Sequence, residues 1–236
     1  MVHKLKGYYL DTKHPLIVEN LMGIKRVKGS IQKGKKPILI NHLKSIINII
    51  NEQNFEHIKK LRDKAIILIG FGGGFRRTEL ISIDHEDLEF VTEGLKITIK
   101  RSKTDQFGEG MIKGIPYFSN ETYCPVVNLK KWLEISKIKS GPIFRRFSKG
   151  SALADKRLTD QSVALLIKKY LELAGFDNNN FSGHSLRSGF ATVAAESGAD
   201  ERSIMTMTGH KTNQMVRRYI KEANLFKNNA LNKVNI

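Results

Sequence analysis

Apolar residues recur at helical spacing through most of the chain. In HPLIVENLMGIKRV, residues 14–27, the pattern predicts a short helix, and KGSIQKGKKP then breaks it with Gly, Lys and Pro, as a basic linker would. From Pro37 the period returns. ILINHLKSIINIINEQ and FEHIKKLRDKAIILIGF each read as an amphipathic helix, the second running into a cluster of glycines. A further helix is predicted to start near Thr78, which can cap it, with Glu79 well placed in its first turn. Between Leu88 and Tyr117 the period shortens to two: KITIK alternates, LEFV and MIKGIPYF are rich in β-formers, and TEG and KTDQFGEG separate them. Helical spacing resumes in PVVNLKKWLEISKI and DQSVALLIKKYLELAGF, with RRFSKGSALADKR read as a basic loop between them. The last third reads as SLRSGFATVAAESG, DERSIMTMTG, TNQMVRRYI and a tail, KEANLFKNNALNKV, broken by Gly or by Asn and Lys. The expected fold is therefore mixed α/β, mainly α-helical, with a small three-stranded antiparallel sheet.

Charge narrows the function. Forty Lys plus Arg against 23 Asp plus Glu give a formal net charge of +17, which points to a polyanionic partner, nucleic acid ahead of an anionic membrane surface. The longest apolar runs, such as AIILIGF, are too short to span a bilayer, and MVHKLKGYYLDTKH lacks the apolar core of a secretory signal. The expected location is cytoplasmic and nucleoid-associated, with no membrane partner. Cys124 is the only cysteine, so an intrachain disulfide and a thiolate zinc cluster are excluded, and it reads as a small buried core residue.

The glycine cluster, GFGGGFRRTEL, places Gly70, Gly72, Gly73 and Gly74 ahead of Arg76 and Arg77, as if to meet a phosphate. It is not a nucleotide-cofactor loop. The sixth place of a dinucleotide fingerprint is Phe75, and no Lys follows as a P-loop requires, so no cofactor is expected. Other chemistry-bearing residues are scattered: His184 and Arg187 in GHSLR, three apart and so on one helical face, His210 in TGHKT, Tyr219 in VRRYI, and Lys103 in KRSKTDQ. No carboxylate cluster suited to Mg²⁺ accompanies them, and no metal is expected. Singly, each has an ordinary reading as a surface pair, a helix-end residue, a core tyrosine or a hairpin lysine.

Taken in order, GGFRRTELISIDHEDL, IKRSKTD, SGHSLRSGFAT and MTGHKTNQMVRRYI resemble the catalytic domain of the tyrosine recombinases, the phage-integrase family, over residues 37 to 230. The resemblance implies a metal-free DNA strand-exchange enzyme with Arg76, Lys103, His184, Arg187, His210 and Tyr219 at the active site. The family has an aliphatic residue where this chain has Arg77, and counting back from TEL selects Arg76 of the adjacent pair. The chemistry suits these residue types. Two arginines can grip the extra negative charge on a phosphodiester attacked in line, and a phenol is both a usable nucleophile and a fair leaving group. The 5′ oxygen must be protonated as it leaves, a general-acid task that falls to Lys103. His184 is the candidate base near Tyr219, and His210 a hydrogen-bond donor to a phosphoryl oxygen. Glu79 is placed to orient Arg76, or else serves only the helix dipole, and Arg77, Arg101, Lys211, Arg217 and Arg218 are expected to contact the DNA backbone.

The resemblance further implies a homotetramer on paired DNA sites through the C-terminal tail, with Leu225, Phe226 and Leu231 docking on a neighbour or packing back on their own domain. By the same resemblance residues 1–35 read as the last helix and basic linker of an N-terminal DNA-binding domain, as in a truncated copy, one half of a split gene with that domain encoded upstream, or a product of a misplaced start, and residues 36–236 as the catalytic domain with a tail helix. Two alternatives stand beside this reading: a type IB topoisomerase-like DNA relaxation activity, and an inactive DNA-binding remnant of an integrase.

Overall fold

The computed structural model describes residues 11–29, 34–100, 110–148, 152–210, 212–223 and 230–234. The chain forms two compact units, Met1–Gly34 and Lys35–Ile236. The first contains helix α1 (Pro15–Lys28), which opens on Pro15 and ends with Lys25, Arg26 and Lys28 in its last turn. Both ends follow helix chemistry, because the first position needs no N–H and cations suit the negative end of the dipole.

In the second unit α2 (Ile40–Glu52), α3 (His57–Gly72) and α4 (Arg77–Ser82) precede strands β1 (Leu88–Val91), β2 (Gly94–Ile99) and β3 (Met111–Pro116). Then come α5 (Pro125–Ser136), β4 (Arg145–Phe147), β5 (Leu153–Arg157), α6 (Asp160–Leu173), α7 (Ser185–Glu196), α8 (Glu201–Thr208) and α9 (Asn213–Ala223). Helix α3 is the axis of the core and packs against α2, α4, α5, α6 and α7. It is amphipathic only in its first half. From Ala65 to Phe71 every residue is buried, since AIILIGF offers no polar face and neighbours must cover it on all sides. Where α3 does carry polar residues, Asp63 is buried between the Tyr170 hydroxyl (2.8 Å) and Arg62 (2.7 Å). Cys124 is buried, as its sequence context suggests.

The three strands form an antiparallel sheet in the order β1-β2-β3. Pairing Leu95 with Ile115 and Ile97 with Lys113 puts Leu95, Ile97, Ile99 and Ile115 on the core side, and the strict alternation of β3 sends Lys113 inward with them. Two expectations are corrected. RRFSKGSALADKR is not simply a loop: β4 and β5 pair as a second, two-stranded sheet, held by an Arg145–Asp155 ion pair (2.8 Å) and by Arg62 over the Phe147 ring rather than by apolar alternation. Thr78 does not cap α4; Arg76 occupies that position in extended conformation, and the carboxylate of Glu79 accepts its backbone N–H at 2.9 Å.

Candidate active site

The glycine cluster does not offer its N–H groups to an anion. Helix α3 ends at Gly72, Gly73 lies over the Phe75 ring so closely that an added Cβ would come within 2.1 Å of it, and Gly74 turns the chain with φ 54°. The tight turn aims carbonyls inward. The Gly73 oxygen accepts from Lys113 Nζ at 2.8 Å, and the Gly74 oxygen from Arg187 Nη1 at 2.9 Å.

Five residues beyond Gly74, α4 delivers Glu79, only 2% exposed. Its carboxylate binds the Arg76 guanidinium and lies 3.9 Å from Lys113 Nζ and 4.0 Å from Arg187 Nη1. One buried anion is thus shared by three cations drawn from the glycine turn, the sheet and α7. Charges are tolerated at such burial only when paired. The pairing is incomplete on one side: Arg187 Nη2 is buried and has no hydrogen-bond partner among the described residues. Burial first, then the nearby Arg76, pushes the Arg187 guanidinium down to about 10, so it stays charged at neutral pH. Arg76 Nη2 also reaches the Gly209 carbonyl at 3.4 Å.

GHSLR begins α7. His184 occupies the N-cap position and is exposed, whereas Arg187, three residues on, is buried. Gly183 is needed by its neighbour, because a Cβ there would lie 2.0 Å from Cδ of Arg77, whose guanidinium pairs with Asp160 at 3.6 Å.

At the other wall, Gly209 closes α8 in the left-handed conformation, and His210 follows, 8% exposed. His210 Nδ1 is 2.7 Å from the Thr208 hydroxyl, which also donates to the Ile204 carbonyl at 2.6 Å. A hydroxyl has one proton, so in this arrangement Nδ1 is the donor toward Thr208. Burial first, then Arg187 and Arg76, pushes the imidazole down to about 4, leaving it neutral at pH 7. An arriving phosphate reverses that penalty and favours the imidazolium, in which Nε2 also donates. Tyr219, on α9, is half-buried with its ring centroid 6.3 Å from that of His210, and it packs against a cluster of Ala191, Ala195, Ile204 and Val216 that joins α7, α8 and α9.

Of the sequence-predicted residues, the fold gathers Arg76, Glu79, Arg187, His210 and Tyr219. Compared with models of known families, residues 38–225 match the phage integrase family. The chain belongs to that family. Among curated relatives, an integrase/recombinase XerD homolog of Selenomonas ruminantium is 45% identical over 97% of this chain and 66% of its own. Tyrosine recombinase XerD of Corynebacterium glutamicum is 30% identical over 73% of this chain and 52% of its own. This member of the family therefore spans between half and two thirds of those relatives. The fold is that of solved recombinases: XerA superposes with TM-score 0.63 at 18% identity over 99% of this chain and 80% of that one. XerH bound to difH, in a post-cleavage complex, superposes with TM-score 0.64 at 19% identity over 83% of this chain and 54% of that one.

Lys103, Arg101 and Lys211 lie outside the described residues, as do Leu225 and Phe226 of the tail. Arg217 and Arg218 are exposed on α9, Arg217 with its Nε 3.3 Å from Glu201, and Leu231 is exposed. Among the described residues no helix is long and apolar enough to cross a membrane, and no three His, Cys, Asp or Glu side chains group to hold a metal. One member of the cluster escaped the sequence reading: Lys113. The signal was present in MIKGIP, where it shares the inward parity of Met111 and Ile115.

Proposed function

We propose that this chain cuts and rejoins DNA at specific sites through a 3′-phosphotyrosyl intermediate. The observation that carries this reading is the incompletely paired cation cluster: Arg76 and Arg187 share Glu79, and Arg187 Nη2 lacks a partner among the described residues, beside His210 and Tyr219. A phosphodiester would complete the pairing, and its transition state, with one more negative charge, would complete it better. The Tyr219 oxygen attacks phosphorus, the bond to the 5′ oxygen breaks, and Lys103 supplies the proton that this oxygen takes up. His184 receives the phenol proton, and reversal rejoins the strand without an external energy source. The unit from Lys35 onward carries this chemistry, double-stranded DNA is the partner, and four copies act on paired sites through their tails.

The test is a suicide duplex, nicked near the cut so that the short fragment diffuses away. We expect the chain to accumulate a covalent adduct on a duplex taken from the DNA flanking its gene, in excess EDTA as well as in Mg²⁺, because the transition-state charge is met by guanidinium groups. An adduct that needs Mg²⁺ while DNA binding does not would overturn the metal-free mechanism, and no adduct at all would leave DNA binding alone. Relaxation of supercoiled plasmid lacking the site would instead favour the topoisomerase reading.

Arg77 allows a finer check. In Gly183→Ala the new methyl must displace the Arg77 side chain, which is flexible, so the fold should survive with less than ~1 kcal/mol lost. If Arg77 contacts a phosphate, the slope of log affinity against log salt falls by about one unit. An unchanged slope removes Arg77 from the DNA interface.

A further inference from the structure

Among the described residues, Lys113 is the largest charged side chain wholly inside the core, with 0% side-chain exposure. Its ammonium touches the Gly73 carbonyl at 2.8 Å, lies 4.2 Å from the centre of the Phe75 ring, and is 3.9 Å from Glu79. Shape alone does not call for a charge here. The flanking inward residues of β3 are Met111 and Ile115, and a Met at 113 would fill the same space without desolvating an ammonium. What the charge adds is a second hold on the two groups that set the arginines: Glu79, which binds Arg76, and the glycine turn, whose next carbonyl binds Arg187.

We propose that Lys113 is a positioning residue for strand cleavage, its buried ammonium fixing the Glu79 carboxylate and the Gly73–Gly74 turn together so that Arg76 and Arg187 meet the scissile phosphate in register. This rests on the reading that the chain cleaves DNA, but the lysine's coupling to Glu79 does not. The charged groups around it are Glu79 and Arg76 from α4 and its cap and Arg187 from α7, with His210 near enough to feel its charge. Burial, Arg187 and Arg76 together outweigh Glu79 and push the ammonium down to about 7. The cluster is therefore poised: Glu79 and three cations carry a net +2 with Lys113 protonated and +1 without, and a bound phosphate favours the protonated form. The sign follows. The ammonium is present at low pH and is lost as pH rises through its value in the complex, which lies above that of the free chain.

In single-turnover cleavage of the suicide duplex at pH 6.5, Lys113→Met should be slower than wild type by roughly 10- to 100-fold, with DNA affinity within about threefold. The ratio of the two rates should shrink toward one as pH is raised to 9.5, because wild type then loses the charge that the variant never had. A ratio constant with pH, or a defect confined to affinity, makes Lys113 a packing residue and overturns the proposal. Should the wild-type chain form no adduct, the strand-cleavage reading fails, and the lysine is then read without activity. In wild-type chain carrying ¹³Cε-lysine, one resonance should titrate near pH 7 and move lower in Glu79→Gln, where the anion favouring the ammonium is gone. No lysine titrating below pH 9, or a midpoint unmoved in Glu79→Gln, overturns the coupling whether or not Lys113→Met folds.

Discussion

Tyr219→Phe is expected to abolish the covalent DNA adduct and leave DNA binding unchanged. Removing one oxygen deletes the nucleophile, so adduct formation should fall by at least ~10⁴-fold, as for other enzymes stripped of their attacking group. Affinity should stay within about twofold, because the aromatic ring that packs α9 onto the Ala191, Ala195 and Ile204 cluster is retained. Tyr170, buried in the core, is a poor alternative nucleophile. Its side chain is 1% exposed, its hydroxyl donates to Asp63 at 2.8 Å, and burial followed by the Asp63 charge raises its pKa well above that of an ordinary phenol. Peptide mapping of the trapped adduct decides the matter: a phosphotyrosine at any position other than 219, or an adduct surviving in Tyr219→Phe, refutes the assignment.

The fold was legible in the sequence wherever one periodicity governed a long segment. KITIK alternates and closes β2, the β-formers of MIKGIP make β3, and DQSVALLIKKYLEL forms α6. It was illegible where pairing depends on charge. Nothing in RRF or LADKR alternates, and β4 and β5 are joined by Arg145–Asp155 and by stacking on Phe147, contacts that need the folded neighbours to exist. The same division runs through the candidate site. Arg76, Lys103, His184, Arg187, His210 and Tyr219 were chosen as an ordered set, and the fold brings Arg76, Arg187, His210 and Tyr219 together across more than 130 residues of chain, as the 3.4 Å contact from Arg76 to Gly209 shows, with Glu79 beneath the arginines. The glycines left one detail open. Their composition placed a tight turn ahead of Arg76, and the fold shows its carbonyls facing inward to hold Lys113 and Arg187. Composition shows that a turn can be tight, not which of its polar groups faces the site. Lys113 was overlooked because a lysine in a very basic chain reads as surface, and only strand parity betrays its burial.

Because Glu79 is, among the described residues, the one anion shared by Arg76, Arg187 and Lys113, Glu79→Ala should damage stability and cleavage together, and in a way that added phosphate partly repairs. Deleting the carboxylate leaves the buried Arg76 and Arg187 guanidinium groups without a compensating charge and favours the neutral form of Lys113, and breaking a buried ion pair on one side costs about 3–5 kcal/mol. The backbone N–H of Arg76 also loses its acceptor at the start of α4, a cap worth about 1 kcal/mol. For a domain of this size each kcal/mol lowers Tm by about 2–4 °C, so a fall on the order of 10 °C is expected. Glu79→Gln should fall less, since its amide oxygen can still accept at the cap. The diagnostic sign is the response to anions. Uncompensated cations bind phosphate more favourably than neutralised ones, so duplex DNA or inorganic phosphate should raise the Tm of Glu79→Ala by more than it raises that of wild type, even though the arginines are no longer aligned and cleavage is lost. Thermal melts with and without phosphate give the comparison directly. A variant that melts within about 2 °C of wild type, or one that phosphate stabilises no more than wild type, shows that Glu79 serves the helix dipole alone and that the arginines are set by something else.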